Sequence, residues 1–145
     1  MIKNWGGLAA NVTIPCRMTI RHPATGQPIV DAAGRQAHVD LLSQDSGPGR
    51  QLFKDRTAAE IDRLARGEKT AAGPDPIDDQ VETLAVLTTG WHLVDPVTRE
   101  PIDYAFDGPA SARALFAAPE LAWLRRQAWS HVVDERNFMP ASPAS

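Results

Sequence analysis

The chain has a single cysteine, Cys16, in 145 residues. A lone thiol closes no intrachain disulfide and supplies no paired thiolates for structural zinc. Long apolar runs are missing as well; none approaches the roughly 20 residues that cross a bilayer. The first stretch, MIKNWGGLAANVTIPC, lacks the apolar core of a signal peptide. These absences predict a soluble protein that makes no membrane contact and stays where it is synthesised. Charge of one sign is absent too. Fifteen Lys and Arg stand against 18 Asp and Glu, a net of −3. The bases sit beside acids, as in Lys54-Asp55-Arg56 and Asp62-Arg63. That interleaving suits a solvated helix face rather than a phosphate track, so nucleic acid is not an expected partner.

Reactive constellations are equally scarce. His22, His38, His92 and His131 share no metal-ligand spacing. Ser130 and His131 are neighbours on a predicted helix and therefore point apart. Asp78-Asp79 is explained by a helix N-terminus, where carboxylates favour the positive end of the dipole. Gly47-Pro48-Gly49-Arg50 lacks the ending of a phosphate loop, and its Pro removes an N–H that a phosphate would need. We expect no catalytic residue, no metal and no cofactor.

What is present is packing signal. Hydrophobic residues make up 43% of the chain, enough for one modest core. Residues 18–44 read as two or three antiparallel strands: Met18-Thr19-Ile20-Arg21 is β-branched and alternating, and Ala37, Val39 and Leu41 alternate with polar neighbours. Turn signals separate them at His22–Pro28 and Asp31–Arg35. Asp45, Ser46 and Pro48 then start a helix in which Phe53, Thr57, Ile61, Leu64 and Ala65 recur on one face at helical spacing. Residues 67–76 read as a linker. A second helix begins at Asp75-Pro76, with Ile77, Val81, Leu84, Ala85 and Thr88 inward, and is predicted to end at Gly90. Two further helices follow over 109–118 and 120–136. The fold class is thus α+β, a small N-terminal antiparallel sheet followed by a bundle of about four helices. Residues 17–138 form one domain, with a β part at 17–44 and a mainly helical part at 46–138. Residues 1–16 are an arm or a leader, and 139–145 a low-complexity tail.

One pattern repeats. Pro23-Ala24-Thr25-Gly26-Gln27-Pro28-Ile29 and Pro96-Val97-Thr98-Arg99-Glu100-Pro101-Ile102 share P-x-T-x-x-P-I at an offset of 73. The shared residues make a good turn, with Pro entering, a Thr hydroxyl taking a nearby N–H, and Pro leaving. A structural duplication is the other reading, although the flanking residues differ.

The last third of the chain is rich in Trp and divides into two sets. Leu84, Trp91, Leu115, Leu121, Leu124, Ala128 and Val132 fall on expected core positions. Phe116, Trp123, Arg125 and Arg126 form a candidate partner-binding edge. Trp123 lies off the 121/124/128/132 stripe beside two Arg, the composition of a protein–protein hot spot.

Taken in order, these motifs resemble a tail assembly chaperone of long-tailed bacteriophages, the class that acts with the tape measure protein. The resemblance runs through His22-Pro23-Ala24-Thr25-Gly26-Gln27-Pro28 and Val39-Asp40-Leu41-Leu42-Ser43-Gln44-Asp45-Ser46. It continues through Leu87-Thr88-Thr89-Gly90-Trp91, then Phe106 with Ala112-Arg113-Ala114-Leu115. It closes on Trp123-Leu124 and Asp134-Glu135-Arg136-Asn137-Phe138. It covers residues 18–138; residues 1–16 have no counterpart, and the linker lacks the long charged helix of some members. The resemblance implies a non-enzymatic protein of the host cytoplasm that binds the tape measure protein, recruits tail tube protein, and leaves before the tail is complete, with self-association left open. The alternatives are a tail structural or completion protein retained in the virion, and an unrelated small enzyme.

Overall fold

Alternation of Ala37, Val39 and Leu41 with His38 and Asp40 turns one face of a strand inward and the other toward water. In the computed structural model, which describes residues 5–68 and 75–140, the three apolar side chains are buried and the two polar ones half-buried. They belong to or flank β2 (His38–Leu41), the central strand of a three-stranded antiparallel sheet. Its neighbours are β1 (Cys16–Thr19) and β3 (Thr88–His92). Met18 lies opposite Val39, and Val39 opposite Trp91. A register shift between Asp40 and Leu41 sets Leu41 opposite Thr88. The protein is α+β, as the sequence predicts.

The third strand comes from an unexpected place. The helix predicted to reach Gly90 is α2 (Pro76–Leu87), which stops earlier. Thr88-Thr89 are β-branched and favour extended backbone. The Thr88 hydroxyl donates to Leu84 O at 2.6 Å and the Thr88 N–H closes on the same carbonyl, ending the helix. Thr88–His92 then joins the sheet instead of prolonging the helix. At the other end of α2, the Asp75 carboxylate accepts the Ile77 N–H at 2.8 Å. Val81, Leu84, Ala85 and Leu87 are buried, but Ile77 is exposed.

The helical part continues with α3 (Gly108–Ala117), a 3₁₀ turn at Pro119–Leu121, and α4 (Ala122–Val133). Pro119 starts that turn where its missing N–H costs nothing. Helix α2 packs against α3 and α4, and the core joins their apolar residues to Met18, Val39 and Leu41 of the sheet. A last 3₁₀ turn, Glu135–Phe138, is capped by Asp134, and Phe138 is buried. In the N-terminal segment, the Asn11 N–H donates to Phe138 O at 2.6 Å. Part of the predicted linker and of the C-terminal tail lies outside the described residues.

Helix α1 (Gly47–Ala65) departs from the ordinary pattern, in which an apolar stripe faces the core. It starts as predicted, with the Ser46 hydroxyl accepting the Gly49 N–H and Pro48 in the first turn. Its apolar stripe, however, does not face the core. Phe53, Ile61 and Leu64 are 71%, 62% and 54% exposed, and no residue of α1 is buried. The half-buried positions are Gly49, Leu52, Arg56, Glu60 and Arg63, a face rotated from the stripe by roughly a quarter turn. Arg56 holds that face to α2 through Asp79, Nη2 to Oδ1 at 2.9 Å. Periodicity identifies which face of a helix is apolar; it does not supply a second layer to cover it.

Candidate functional site

The repeated heptapeptide folds twice into the same four-residue hairpin loop. Arg21 bridges Pro28, and Val94 bridges Pro101. His22 N–H donates to Gln27 O and Asp95 N–H to Glu100 O, both at 2.9 Å. Gly26 N–H donates to His22 O and Arg99 N–H to Asp95 O, both at 2.8 Å. The Thr25 and Thr98 hydroxyls each accept, at 3.3 Å, the N–H two residues on. The shared residues are thus the ones that make the turn, as predicted.

The loop needs one left-handed residue. The first copy uses Gly26, at φ 72°, and the second uses Arg99, at φ 61°. A side chain there is strained, and Arg99 is held in place by tertiary bonds. Its carbonyl accepts the Ala32 N–H at 3.0 Å, and its Nη2 donates to Asp31 O at 3.1 Å. The second loop is thereby clasped to the chain that leaves the first.

That pairing builds a groove. Ile20 and Leu93 are equivalent positions of the two hairpins, as are Ile29 and Ile102, and all four line one cavity of about 460 Å³. Ala114, Leu115 and Ala118 of α3 and its end, with Leu121, Trp123 and Leu124, form the opposite wall. Tyr104 closes one side. Its hydroxyl is already used, donating to Ser111 O at 2.8 Å. Trp91 stacks on Tyr104 with ring centroids 5.6 Å apart and donates its indole N–H to Tyr104 O at 2.7 Å. Phe106 also packs on Trp91, with ring centroids 5.1 Å apart. The lining therefore offers aliphatic and aromatic surface with no charged group, which suits apolar side chains of a ligand.

The predicted binding edge is split by the structure. Trp123 is half-buried and lines the groove, and Arg126 is exposed. Phe116 is 1% exposed and belongs to the core. Arg125 is 7% exposed, and its Nη1 donates to Oε1 of Gln80 on α2 at 2.8 Å. Both corrections have a helical reason. Ala112, Leu115 and Phe116 stand at i, i+3 and i+4 on α3, one face. Likewise Arg125 falls on the line Leu121, Arg125, Ala128, Val132, so the charged residue sits inside the apolar stripe.

Sequence reasoning missed a polar cluster. Asp31 is buried, and its Oδ1 accepts the N–H groups of Ala33 and Arg35 at 2.9 and 2.8 Å. Its Oδ2 lies 3.1 Å from His92 Nε2. The Arg35 N–H bond, foremost, holds the Asp31 carboxyl below the usual carboxylate range. His92 faces His38 across the β2–β3 pair, with ring centroids 6.0 Å apart. Burial pushes the His38 imidazole below its ordinary value, against the pull of Asp40. No hydroxyl or thiol hydrogen-bonds either ring among the described residues, and the Asp31 bonds have the form of a turn. We read this cluster as a clasp between β3 and the loop after Val30.

Among the described residues, no three His, Cys, Asp or Glu stand together as metal ligands, and no helix is long and apolar enough to cross a membrane. No protein-family model, curated protein or solved structure matches the chain.

Proposed function

We propose that the protein is a tail assembly chaperone of long-tailed bacteriophages, a non-enzymatic binder of the tape measure protein that helps to recruit tail tube subunits in the host cytoplasm. The observation that carries the reading is the uncharged groove between the two hairpins and the α3–α4 corner. A tape measure chain is long and helical, and before assembly its apolar stripe needs cover. An amphipathic helix laid in such a groove inserts side chains at i, i+3, i+4 and i+7, and Trp123 stands where an anchor would meet it. A cavity of about 460 Å³ takes a few side chains rather than a whole helix. Each subunit would then bind modestly, many subunits on one chain would bind by avidity, and release would stay reversible.

The experiment is co-expression with the neighbouring long coiled-coil gene product, followed by pull-down with wild type and Trp123→Ala. We expect soluble co-purification with wild type. We expect Trp123→Ala to keep its circular dichroism spectrum and lose most of the partner. Global unfolding of Trp123→Ala would make Trp123 core and remove it from the binding surface. Failure of wild type to capture the partner, with the protein present in purified particles, would favour a structural or completion role.

A further inference from the structure

The apolar stripe of α1 stands apart from the groove and shares no residue with its lining. Phe53, Thr57, Ile61 and Leu64 lie along one face over about three turns, with the three large side chains exposed. A water-facing row of this kind on a 19-residue helix is a surface awaiting another helix. We propose that its occupant is a second copy of this chain, paired through antiparallel α1 helices about a two-fold axis at Thr57.

Two observations select this occupant. The first is charge. On the exposed side of α1, residues 47–57 carry Arg50 and Lys54 against Asp55, whereas residues 58–68 carry Asp62 and Glu68 against Arg66. Parallel helices would set the basic halves together. Antiparallel helices set the basic half of each copy on the acidic half of the other and oppose the helix dipoles. The second is register. A two-fold axis at Thr57 is self-complementary, as an isologous contact must be. It sets Phe53 against Ile61 of the second copy, twice. It also sets Leu64 beside Arg50, whose aliphatic stem can cover it. Thr57, the smallest member of the stripe, falls at the axis where the helices approach most closely.

Sedimentation velocity on the full chain, up to about 100 μM at the weak end of specific association, tests the proposal. Wild type is expected to show a reversible monomer–dimer equilibrium. Phe53→Ser/Ile61→Ser is expected to weaken it at least about tenfold with an unchanged circular dichroism spectrum, because no α1 residue is buried. Lys54→Glu is expected to weaken it, because it reverses a charge in each basic half. A wild type monomeric throughout overturns the proposal. So does a dimer that survives the Ser pair, or one that Lys54→Glu does not weaken. Capture of the helical partner lost with the Ser pair, from a monomeric wild type, assigns the stripe to that partner and also overturns it.

Discussion

Arg125 is a guanidinium held at 7% exposure by one neutral partner, the Gln80 side chain at 2.8 Å. No carboxylate pairs with it among the described residues. Removing such a group from water costs several kcal/mol, while one hydrogen bond to a charged group returns about 1.5–3 kcal/mol. The charge is thus expected to contribute little or to oppose folding, and the long stem is expected to do the packing. Arg125→Met keeps a comparable stem and removes the charge. It should be neutral or stabilise by about 1–4 kcal/mol, the range seen when buried charges give way to apolar side chains. Gln80→Leu does the opposite: it leaves the guanidinium buried without its acceptor and should destabilise by about 1–3 kcal/mol. Arg125→Met/Gln80→Leu removes both partners and should recover most of that loss, so the two changes are not additive. Urea unfolding followed by circular dichroism reads all four proteins, and an unchanged slope would show that the denatured state is not the cause. An Arg125→Met that loses more than about 2 kcal/mol would refute the reasoning, since the charge would then outweigh its desolvation. Partner capture by Arg125→Met should equal that of wild type. Loss of capture at full stability would return Arg125 to the binding surface.

Two further predictions concern the fold. A Cβ at Gly49 would sit 2.2 Å from the backbone oxygen of Gln44, so Gly49→Ala should cost at least about 2 kcal/mol by forcing the first turn of α1 away from its cap; a thermal midpoint equal to wild type would remove the constraint. Burial holds the His131 imidazole below its ordinary 6.5, despite Asp134, and its Nε2 is buried without a hydrogen-bond partner. The unfolded chain therefore binds the proton first, and stability should fall as pH drops below 6.5. His131→Phe should flatten that slope in urea unfolding at several pH values; His38, shifted the same way by burial, leaves a residual slope. An unchanged slope would show that His131 does not titrate differently on folding.

The parts of the fold that were legible share one property: their signal is local and their partner lies in the same chain. Val39 and Leu41 alternate and are buried, and Leu84, Leu115, Leu124, Ala128 and Val132 recur at helical spacing and meet in one core. Ser46 and Asp75 cap the helices that they precede. The failures came where a local signal had two outcomes. Thr88-Thr89 continued an apolar helical stripe yet carried strand preference, and the free edge of β2 decided between them. Arg125 read as surface because it is charged, although its spacing from Leu121, Ala128 and Val132 already put it on the inner face. The stripe of α1 was identified residue by residue, but its orientation depends on a layer that the single chain does not provide.

The groove was the least legible feature, and the repeat explains why. Pro, Thr, Pro and Ile recur at an offset of 73 because each copy must make the same loop, so the motif by itself speaks only of turns. Its second consequence is three-dimensional. Ile29 and Ile102 are part of the motif, and Ile20 and Leu93 are their hydrogen-bonded hairpin partners at 3.0 and 2.8 Å. One hairpin can offer two apolar side chains; two hairpins clasped through Arg99 offer four on one wall. The clasp demands a side chain at the left-handed position of the second loop, which glycine at the equivalent position of the first could not supply. Arg99 is therefore where the two turns stop being equivalent, and its strain is the cost of joining two surface loops into a binding wall.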